Sequence, residues 1–487
     1  MTSPSKVSQL GLYLGPTLFI LVNYFLFLEG LSDPSRAMLA VTLWIATWWI
    51  TEAIPIPATS LLPLVLLPLT GALTIGDTAS QYSNPLVLLY MGGFMIAVSI
   101  EKWNLHKRIA LMTIYLIGSN NRFIVLGFMV ATAFLSMWIS NTATSLMMLP
   151  IGIAVVSQLI RSQSDLEENN LGKALMLGIA YGASIGGMAT LIGTPTNILL
   201  ASVVKELYGY EISFSQWFAF GLPLSAILLY ICWLYLVKFA FPIQKTPDTL
   251  QTKSLMKKEL EKLGPMGMEE KRVAWVFAGV SLAWLTRTFL LNDFFPILDD
   301  TIIAFIGVLL LFILPSSFPG TKLLDWKSAE KIPWGILLLF GGGMSLAEGF
   351  KTTGLASWLG GQFVFLDFVA FWLFLLAIIT AVNFLTEVTS NVATASMILP
   401  ILASVAKAMD VHPFALMVGA TLAASCAFML PVATPPNAVV FGSGYIKMRD
   451  MVKAGLWMNL ISIVVIVAVI YFVLPLLWGI ELKGYPF

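Results

Sequence analysis

An uncharged stretch in this chain is too long to cross a membrane only once. Residues 123–160 form a run of 38 residues without a charge, between Arg122 and Arg161. As one α-helix the run would measure ~57 Å at ~1.5 Å per residue, nearly twice the ~30 Å hydrocarbon core of a bilayer. The stretch must therefore turn back, and its polar residues Ser140 and Asn141 lie near the middle. We expect a re-entrant hairpin with a polar tip, which is tolerated at that depth only inside protein or beside a wet cavity.

The same polar motif occurs a second time, 250 positions further along the chain. Residues 140–151 match residues 390–401 at eight of twelve positions. The second motif is also central in a long apolar stretch, residues 368–406, in which Glu387 is the only charge. We therefore expect a second re-entrant hairpin, with Ser390 and Asn391 at its tip.

Each motif is followed by a second polar break in an apolar run. The first is Gly193-Thr194-Pro195-Thr196-Asn197, and the second is Ala433-Thr434-Pro435-Pro436-Asn437. Because proline lacks a backbone N–H and clashes with the preceding turn, each break frees carbonyls and exposes the N-terminus of a half-helix. Free carbonyls suit sodium ions, and helix N-termini suit carboxylates. The paired motifs and breaks indicate a secondary transporter with a duplicated site near the membrane midplane.

Composition agrees with a polytopic membrane protein. Hydrophobic residues make up 58% of the 487 residues, charged residues make up 11%, and the mean hydropathy is +0.88. A net charge of +1 gives no electrostatic case for binding nucleic acid. The two cysteines, Cys232 and Cys426, lie in apolar runs and are predicted to be packed thiols. Two histidines are too few for a His-rich metal site.

The hydrophilic stretch 242–272 divides the chain into two halves. Its lysines place it in the cytoplasm by the positive-inside rule, and we expect a solvated amphipathic helix there. We predict an N-terminal transmembrane helix in residues 1–36, a first repeat in residues 37–241, and a second repeat in residues 273–487. Glu348 and Arg287 lie near the ends of predicted spans, and we expect both side chains to extend toward water.

Residues 424–440 complete the pattern and resemble the signature of a known protein family. The run Ala424-Ser425-Cys426-Ala427-Phe428-Met429-Leu430-Pro431-Val432-Ala433-Thr434-Pro435-Pro436-Asn437-Ala438-Val439-Val440 is similar throughout to a sodium/sulfate symporter signature. Together with the paired motifs it resembles the divalent anion/sodium symporter family, in particular its bacterial di- and tricarboxylate transporters. The resemblance covers the whole chain. It implies an all-α polytopic fold of about eleven transmembrane helices and two re-entrant hairpins in an inverted repeat. It also implies scaffold and transport domains, elevator movement, and a homodimer in the lipid bilayer of the plasma membrane.

The resemblance further implies a set of binding residues. The first sodium site would use Ser136, Ser140, Asn141 and Gly193. The second sodium site would use Thr386, Ser390, Asn391 and Ala433. Substrate carboxylates would meet Asn141, Thr142, Ser390, Asn391, Thr434 and Pro435. Val392 departs from the family pattern, because many members have a threonine there, and a hydroxyl is lost.

The chemistry of the motifs favours coupling to sodium. Asparagine and threonine can donate to carboxylates while their oxygens coordinate a hard cation, and neither motif has an arginine or lysine beside it. Because an unpaired buried dianion is costly, bound sodium is needed to compensate its charge. We predict sodium-coupled symport of C4–C5 dicarboxylates such as succinate, malate, fumarate or 2-oxoglutarate. Citrate and sulfate need similar hydrogen-bond donors and stay open as substrates. A sodium-independent exchanger of the same fold remains an open alternative, and the sequence leaves the role of Glu387 open.

Two further alternatives come from other functional classes. The run Gly182-Ala183-Ser184-Ile185-Gly186 matches the G-x-S-x-G pattern of serine hydrolases. The only histidine downstream is His412, which lies in a predicted loop. A passive anion channel would need a ring of basic residues, which the spans lack. We therefore expect a transporter and not an enzyme.

Overall fold

The regular secondary structure of the described residues is helical. The computed structural model describes residues 6–118, 120–159, 165–244, 250–362 and 370–487. In these ranges the extended structure amounts to two isolated β-bridges. Residues 1–5 of the predicted first helix and 245–249 of the predicted linker lie outside the described residues. The all-α prediction is confirmed.

The first half of the chain contains twelve α-helices and two short π-helical segments among its described residues. The helices are α1 (Lys6–Ile20), α2 (Asp33–Thr51), α3 (Ile56–Thr59), α4 (Leu62–Leu69), α5 (Ile75–Tyr82), α6 (Pro85–Lys102), α7 (Leu105–Ile117), α8 (Asn121–Ser136), α9 (Asn141–Leu159), α10 (Asp165–Gly187), α11 (Pro195–Tyr208) and α12 (Phe214–Tyr235). The π-helical segments, Leu21–Phe25 and Leu236–Ala240, extend α1 and α12.

The described residues of the second half form thirteen α-helices. They are α13 (Leu250–Leu263), α14 (Met268–Thr286), α15 (Asn292–Phe294), α16 (Asp300–Ile313), α17 (Trp326–Ala329), α18 (Trp334–Thr352), α19 (Leu355–Gln362), α20 (Phe371–Leu385), α21 (Asn391–Ala408), α22 (Pro413–Ser425), α23 (Pro435–Phe441), α24 (Met448–Phe472) and α25 (Leu474–Trp478). A π-helical segment, Arg287–Leu291, joins α14 to α15.

Several of these helices have the length and composition of membrane spans. By these criteria five described helical segments can cross a bilayer: Ile75–Lys102, Phe214–Ala240, Met268–Phe294, Asn391–Ala408 and Met448–Phe472. Shorter apolar helices accompany them, among them α8, α16, α20 and α22. The chain is therefore a multi-pass membrane protein. The helix α13 lies in the predicted linker and packs against α7 and α9.

Both long apolar stretches break at the predicted polar motifs. In the first, α8 ends at Ser136 and α9 begins at Asn141, and the two helices contact each other. In the second, α20 ends at Leu385 and α21 begins at Asn391. Each asparagine therefore occupies the first position of a helix, directly after a non-helical tip.

The second pair of breaks is also present. The helix α10 ends at Gly187 and α11 begins at Pro195, while α22 ends at Ser425 and α23 begins at Pro435. Proline suits the first helical position, because the N–H that it lacks would have no partner there. The order of helices α5 to α12 thus recurs in α17 to α24, with breaks at corresponding places.

The helix α10 lies in the centre of the structure. It packs against α8, α9, α12 and α23, and from Leu171 to Gly187 nearly all of its residues are buried. Tyr181 Oη donates to the carbonyl oxygen of Phe428 at 2.8 Å, which ties this helix to the second break. Cys232 and Cys426 are both free, buried thiols, as predicted.

The prediction that Arg287 extends toward water is wrong. Its side chain is buried, with the residue 6% exposed, and it forms ion pairs of 2.7 Å with Asp300 and with Glu211. A buried guanidinium is stable only when its charge is paired. The partners lie 13 and 76 positions away in sequence, so a single span end gives no sign of them.

Candidate functional site

The two tips and the two later breaks meet around one cavity. Its volume is about 450 Å³, within the ~300–1,000 Å³ of typical small-molecule sites. Nine of the eleven predicted site residues line it: Ser140, Asn141, Thr142, Gly193, Ser390, Asn391, Ala433, Thr434 and Pro435. The other two, Ser136 and Thr386, lie one layer behind the wall and hydrogen-bond to residues in it. The structure therefore brings the whole predicted set together.

At the first tip, Ser136 holds the asparagine that begins α9. Ser136 Oγ is buried and donates to Asn141 Oδ1 at 2.5 Å. Ser140 Oγ accepts from the backbone N–H of Ala143 at 3.2 Å. The bond from Ser136 fixes the orientation of the Asn141 amide, whose oxygen keeps a second lone pair for another partner.

Two glycines closely approach oxygen atoms beside this asparagine. A methyl group added to Gly187 would lie 2.7 Å from Asn141 Oδ1 and 3.0 Å from the Gly193 carbonyl oxygen. A methyl group added to Gly193 would lie 2.5 Å from the Gly187 carbonyl oxygen and 3.0 Å from Thr190 Oγ1. Any larger side chain at either position would collide with these oxygens, so they converge there without an intervening side chain. Oxygens from a side-chain amide and from backbone carbonyls are the ligands that a hard cation prefers.

The second tip repeats the arrangement of the first. Thr386 Oγ1 lies 2.7 Å from Asn391 Oδ1 and 3.1 Å from the carbonyl oxygen of Ala424, and its single proton can go to either. The spacing of five residues between hydroxyl and asparagine is the same as between Ser136 and Asn141. Both sodium sites predicted from the sequence thus have a buried hydroxyl behind an asparagine oxygen.

Two asparagines that the sequence analysis gave no role hold the later breaks in shape. Asn197 Nδ2 donates to the carbonyl oxygens of Met188 at 3.3 Å and Thr190 at 2.8 Å. Asn437 Nδ2 donates to those of Ala427 at 3.1 Å and Leu430 at 3.0 Å. Each amide ties the first helical turn to the loop before it. Their matching place, two residues after a proline in both breaks, was a signal that could have identified them.

Glu387, whose role the sequence left open, holds the second break in place. It is 3% exposed. Its carboxylate accepts from the backbone N–H groups of Phe428, Met429 and Leu430 at 2.7, 2.9 and 3.0 Å. It also accepts from Asn459 Nδ2 at 2.7 Å. Four donors satisfy this buried carboxylate without a cation and fix the loop that leads to Ala433.

The two halves also meet directly at the cavity wall, to which Ser425 belongs. Thr196, in the first turn of α11, and Ser425, the last residue of α22, are buried with their hydroxyl oxygens 2.8 Å apart. This bond joins the break of the first half to that of the second. The two predicted ion sites therefore belong to one packed unit.

The cavity offers little positive charge to an anion. Of the described residues that line it, Glu52 is the sole charged one. The rest of the lining is largely apolar and includes Ile56, Pro57, Tyr90 and Leu339. A dianion in this cavity would meet hydroxyls, amides and half-helix N-termini rather than a lysine or an arginine.

The geometry gives no support to a serine hydrolase. Ser184 lines the cavity, but neither histidine of the chain contacts it. His106 Nδ1 lies 3.2 Å from the carbonyl oxygen of Ile100, and His412 Nδ1 accepts from the backbone N–H of Phe414. Neither histidine is therefore hydrogen-bonded to Ser184 as the general base of a serine hydrolase would be.

Solved structures with a similar fold are also transport proteins. The chain aligns with MtrF of Neisseria gonorrhoeae, described as illuminating a class of antimetabolite efflux pumps, at a TM-score of 0.57 and 13% identity. That alignment covers 96% of this chain and 94% of the other. It also aligns with the YdaH transporter of Alcanivorax borkumensis at a TM-score of 0.55 and 12% identity, over 93% of this chain and 100% of the other. At these identities the likeness concerns the fold alone.

Sequence comparison is more specific. The family model described as "Sodium:sulfate symporter transmembrane region" matches residues 10–480. The chain is 48% identical to the sodium-dependent dicarboxylate transporter SdcS of Staphylococcus aureus strain USA300, over 99% of this chain and 94% of that protein. SdcS of strain NCTC 8325 matches equally well. The chain therefore belongs to the sodium:sulfate symporter family, as the resemblance in its motifs predicted.

Proposed function

We propose that this protein carries C4–C5 dicarboxylates, such as succinate, malate, fumarate or 2-oxoglutarate, across the plasma membrane by sodium-coupled symport. The observation that carries the proposal is that the two tips, with Asn141 and Asn391, line one and the same cavity. The described residues that line this cavity include no basic side chain. A dianion in such a cavity requires a bound cation, because the described lining residues supply no positive side chain. The name of the 48% identical relative, a sodium-dependent dicarboxylate transporter, supports the same substrate and ion.

We assign the sodium ions to the two oxygen clusters at the tips. The first ion would be held by Ser136, Ser140, Asn141 and the Gly193 carbonyl, and the second by Thr386, Ser390, Asn391 and the Ala433 carbonyl. The oxygens of Asn141, Gly187, Thr190 and Gly193 converge beside the two glycines, which supports a small hard cation at this place. Substrate carboxylates would then lie between the ions, against Thr142, Thr434 and the half-helix N-terminus at Pro435.

The proposal includes the movement that exposes the site to each side. Two halves with the same order of helices and breaks favour an inverted repeat, in which the tips belong to a transport domain that moves as an elevator against a scaffold. Family membership supports a homodimer as the assembly of that scaffold. The predicted halves, residues 37–241 and 273–487, would be the two repeats.

Uptake by reconstituted protein tests the proposal. Labelled succinate should enter proteoliposomes when a sodium gradient is imposed, and Asn141→Ala and Asn391→Ala should abolish saturable uptake. Asn23→Ala, in the π-helical segment after α1 and outside the cavity, is the matched control and should transport normally. Uptake that needs internal dicarboxylate and no sodium would identify an exchanger instead.

A further inference from the structure

A polar cluster lies away from the cavity, where α5, α11 and α18 meet. The carboxyl group of Glu206, in the last turn of α11, interacts with Glu348 on α18 and with Gln81 on α5. Lys351 Nζ donates to the main-chain carbonyl of Glu206 at 2.6 Å rather than forming an ion pair with its carboxylate. Thr352 Oγ1 donates to Glu348 Oε1 at 2.7 Å. Two acidic side chains therefore face each other across a helix–helix contact.

Two acceptor atoms in this cluster have no partner among the described residues. Glu348 Oε2 is buried and accepts no hydrogen bond. Gln81 is 7% exposed, and its Oε1 is likewise buried and unpaired. Buried polar atoms are nearly always hydrogen-bonded, so a cluster of unpaired acceptors lacks a donor. A single proton shared by the two carboxyl groups would supply one.

We propose that Glu206 and Glu348 bind one proton between them and thereby join α11 to α18 by a carboxyl–carboxylate hydrogen bond. Two carboxylates that share a site cannot both ionise readily, because the second negative charge is repelled by the first. The charged groups that act on Glu206 are Glu348 and Lys351, both from α18, while α5 contributes the uncharged Gln81. Lys205, on the same helix as Glu206, lies 4.0 Å from Glu211 instead.

The pKa of Glu206 agrees with a proton shared between the two carboxyl groups. Glu206 lies two residues before the C-terminal end of α11, and α11 is not among the described helices that are long and apolar enough to cross a membrane. We therefore treat the Glu206 carboxyl group as one that can exchange protons with water. Burial, with the adjacent Glu348 carboxyl as the next cause, raises the pKa of Glu206 from 4.5 to about 7. The shared proton is therefore gained and lost within the physiological pH range.

The proton would act on the cavity through the two helices that share it. At its start, α11 contributes Pro195 to the cavity wall, ~17 Å from Glu206 at ~1.5 Å per residue. Near its start, α18 contributes Ile336, ~18 Å from Glu348. With the proton bound, the far ends of both helices are joined. Without it, two negative charges repel across the same contact. The pair is thus a pH-dependent latch between two cavity-lining helices, whatever anion the cavity carries.

The sign of the effect on stability follows from the raised pKa of Glu206. The contribution of the latch is fully present below about pH 4.5, where the glutamate is protonated in the folded and in the unfolded chain. It is lost as the pH rises through about 7, because the unfolded chain has already released its proton. The melting temperature should therefore fall over this window. Glu206→Gln should remove that part of the fall, because the amide donates to Glu348 at every pH.

Infrared difference titration of the purified protein tests the latch without any transport assay. The wild type should show a protonated carboxyl band that disappears between about pH 6 and pH 8. Glu206→Gln should lack this band, and Glu348→Gln should shift its disappearance to lower pH, because Glu206 stays partly buried but loses the adjacent carboxyl group. Glu481→Gln removes an exposed glutamate near the C-terminus and should leave the band unchanged. The latch is refuted if the wild-type and Glu206→Gln spectra titrate identically. Loss of the band on adding sodium at constant pH would also refute it, since a metal ion would then occupy the pair.

Discussion

Glu387 gives the sharpest prediction, because four donors depend on one carboxylate. Oε1 accepts from Phe428 N, Met429 N and Asn459 Nδ2, and Oε2 accepts from Leu430 N. Glu387→Gln keeps one oxygen and replaces the other with an amide nitrogen. In the better orientation the oxygen keeps its three donors, and the new NH2 group faces the N–H of Leu430. Two donors then point at each other inside the protein.

The size of the effect follows from these bonds. A hydrogen bond to a charged group contributes ~1.5–3 kcal/mol, and an unsatisfied buried donor costs ~1–3 kcal/mol. The loop from Phe428 to Ala433 would therefore lose about 3 kcal/mol of support. A free-energy change of ~1.4 kcal/mol corresponds to a factor of ten in affinity. If the whole loss were transferred to the ion site proposed at Ala433, sodium affinity would fall by roughly 100-fold. We expect sodium affinity to fall by roughly 10- to 100-fold.

The assay is succinate uptake into proteoliposomes as a function of external sodium, together with the melting temperature of each variant. Asn459→Ala is the matched comparison, because it removes one donor and leaves the charge, and we expect less than a tenfold loss. A sodium dependence in Glu387→Gln equal to that of the wild type, in a stably folded protein, would show that the carboxylate does not position the ion site.

Three further predictions concern the tips. Gly187→Ala places a methyl group 2.7 Å from Asn141 Oδ1 and should strongly weaken the sodium dependence of uptake in the same assay. Gly279→Ala is the control, because its methyl group would meet no atom within 4 Å, and it should leave the sodium dependence unchanged. Ser136→Ala and Thr386→Ala should raise the sodium concentration needed for half-maximal uptake before they lower maximal uptake, and the reverse order would count against their place at the ion sites. Cysteines replacing Thr142 and Val392, in a protein without native cysteines, should both be protected from thiol reagents by succinate, and protection of one alone would contradict a shared site.

Much of the site could be predicted from the sequence because it is duplicated. A single Ser-Asn motif in an apolar run is compatible with helix packing, whereas two copies at a spacing of 250, each followed by a proline break, indicate function. The length of the uncharged stretches required the chain to turn, and the helices do end at Ser136 and Leu385. The broken helices were predicted from proline, which is a local effect.

What could not be predicted depends on contacts between distant parts of the chain. The donors to Glu387 lie 41 to 72 positions away, so its sequence neighbours do not reveal that it holds a loop. Arg287 was misassigned for the same reason, since Glu211 is 76 positions away. Glu348 and Glu206 face each other only because α11 packs on α18. Burial and charge pairing of this kind arise in the folded state.

The central claim is that sodium compensates the charge of a dicarboxylate in a cavity whose described lining residues include no lysine, arginine or histidine. It is tested most directly by measuring succinate affinity at several sodium concentrations, with choline as the replacement ion, and sodium affinity at several succinate concentrations. Linkage requires that each ligand strengthen the other by the same factor, which for coupled sites is typically ~5- to 150-fold. We predict equal factors above fivefold, and their loss in Asn391→Ala. A succinate affinity that is unchanged when choline replaces sodium would contradict the account.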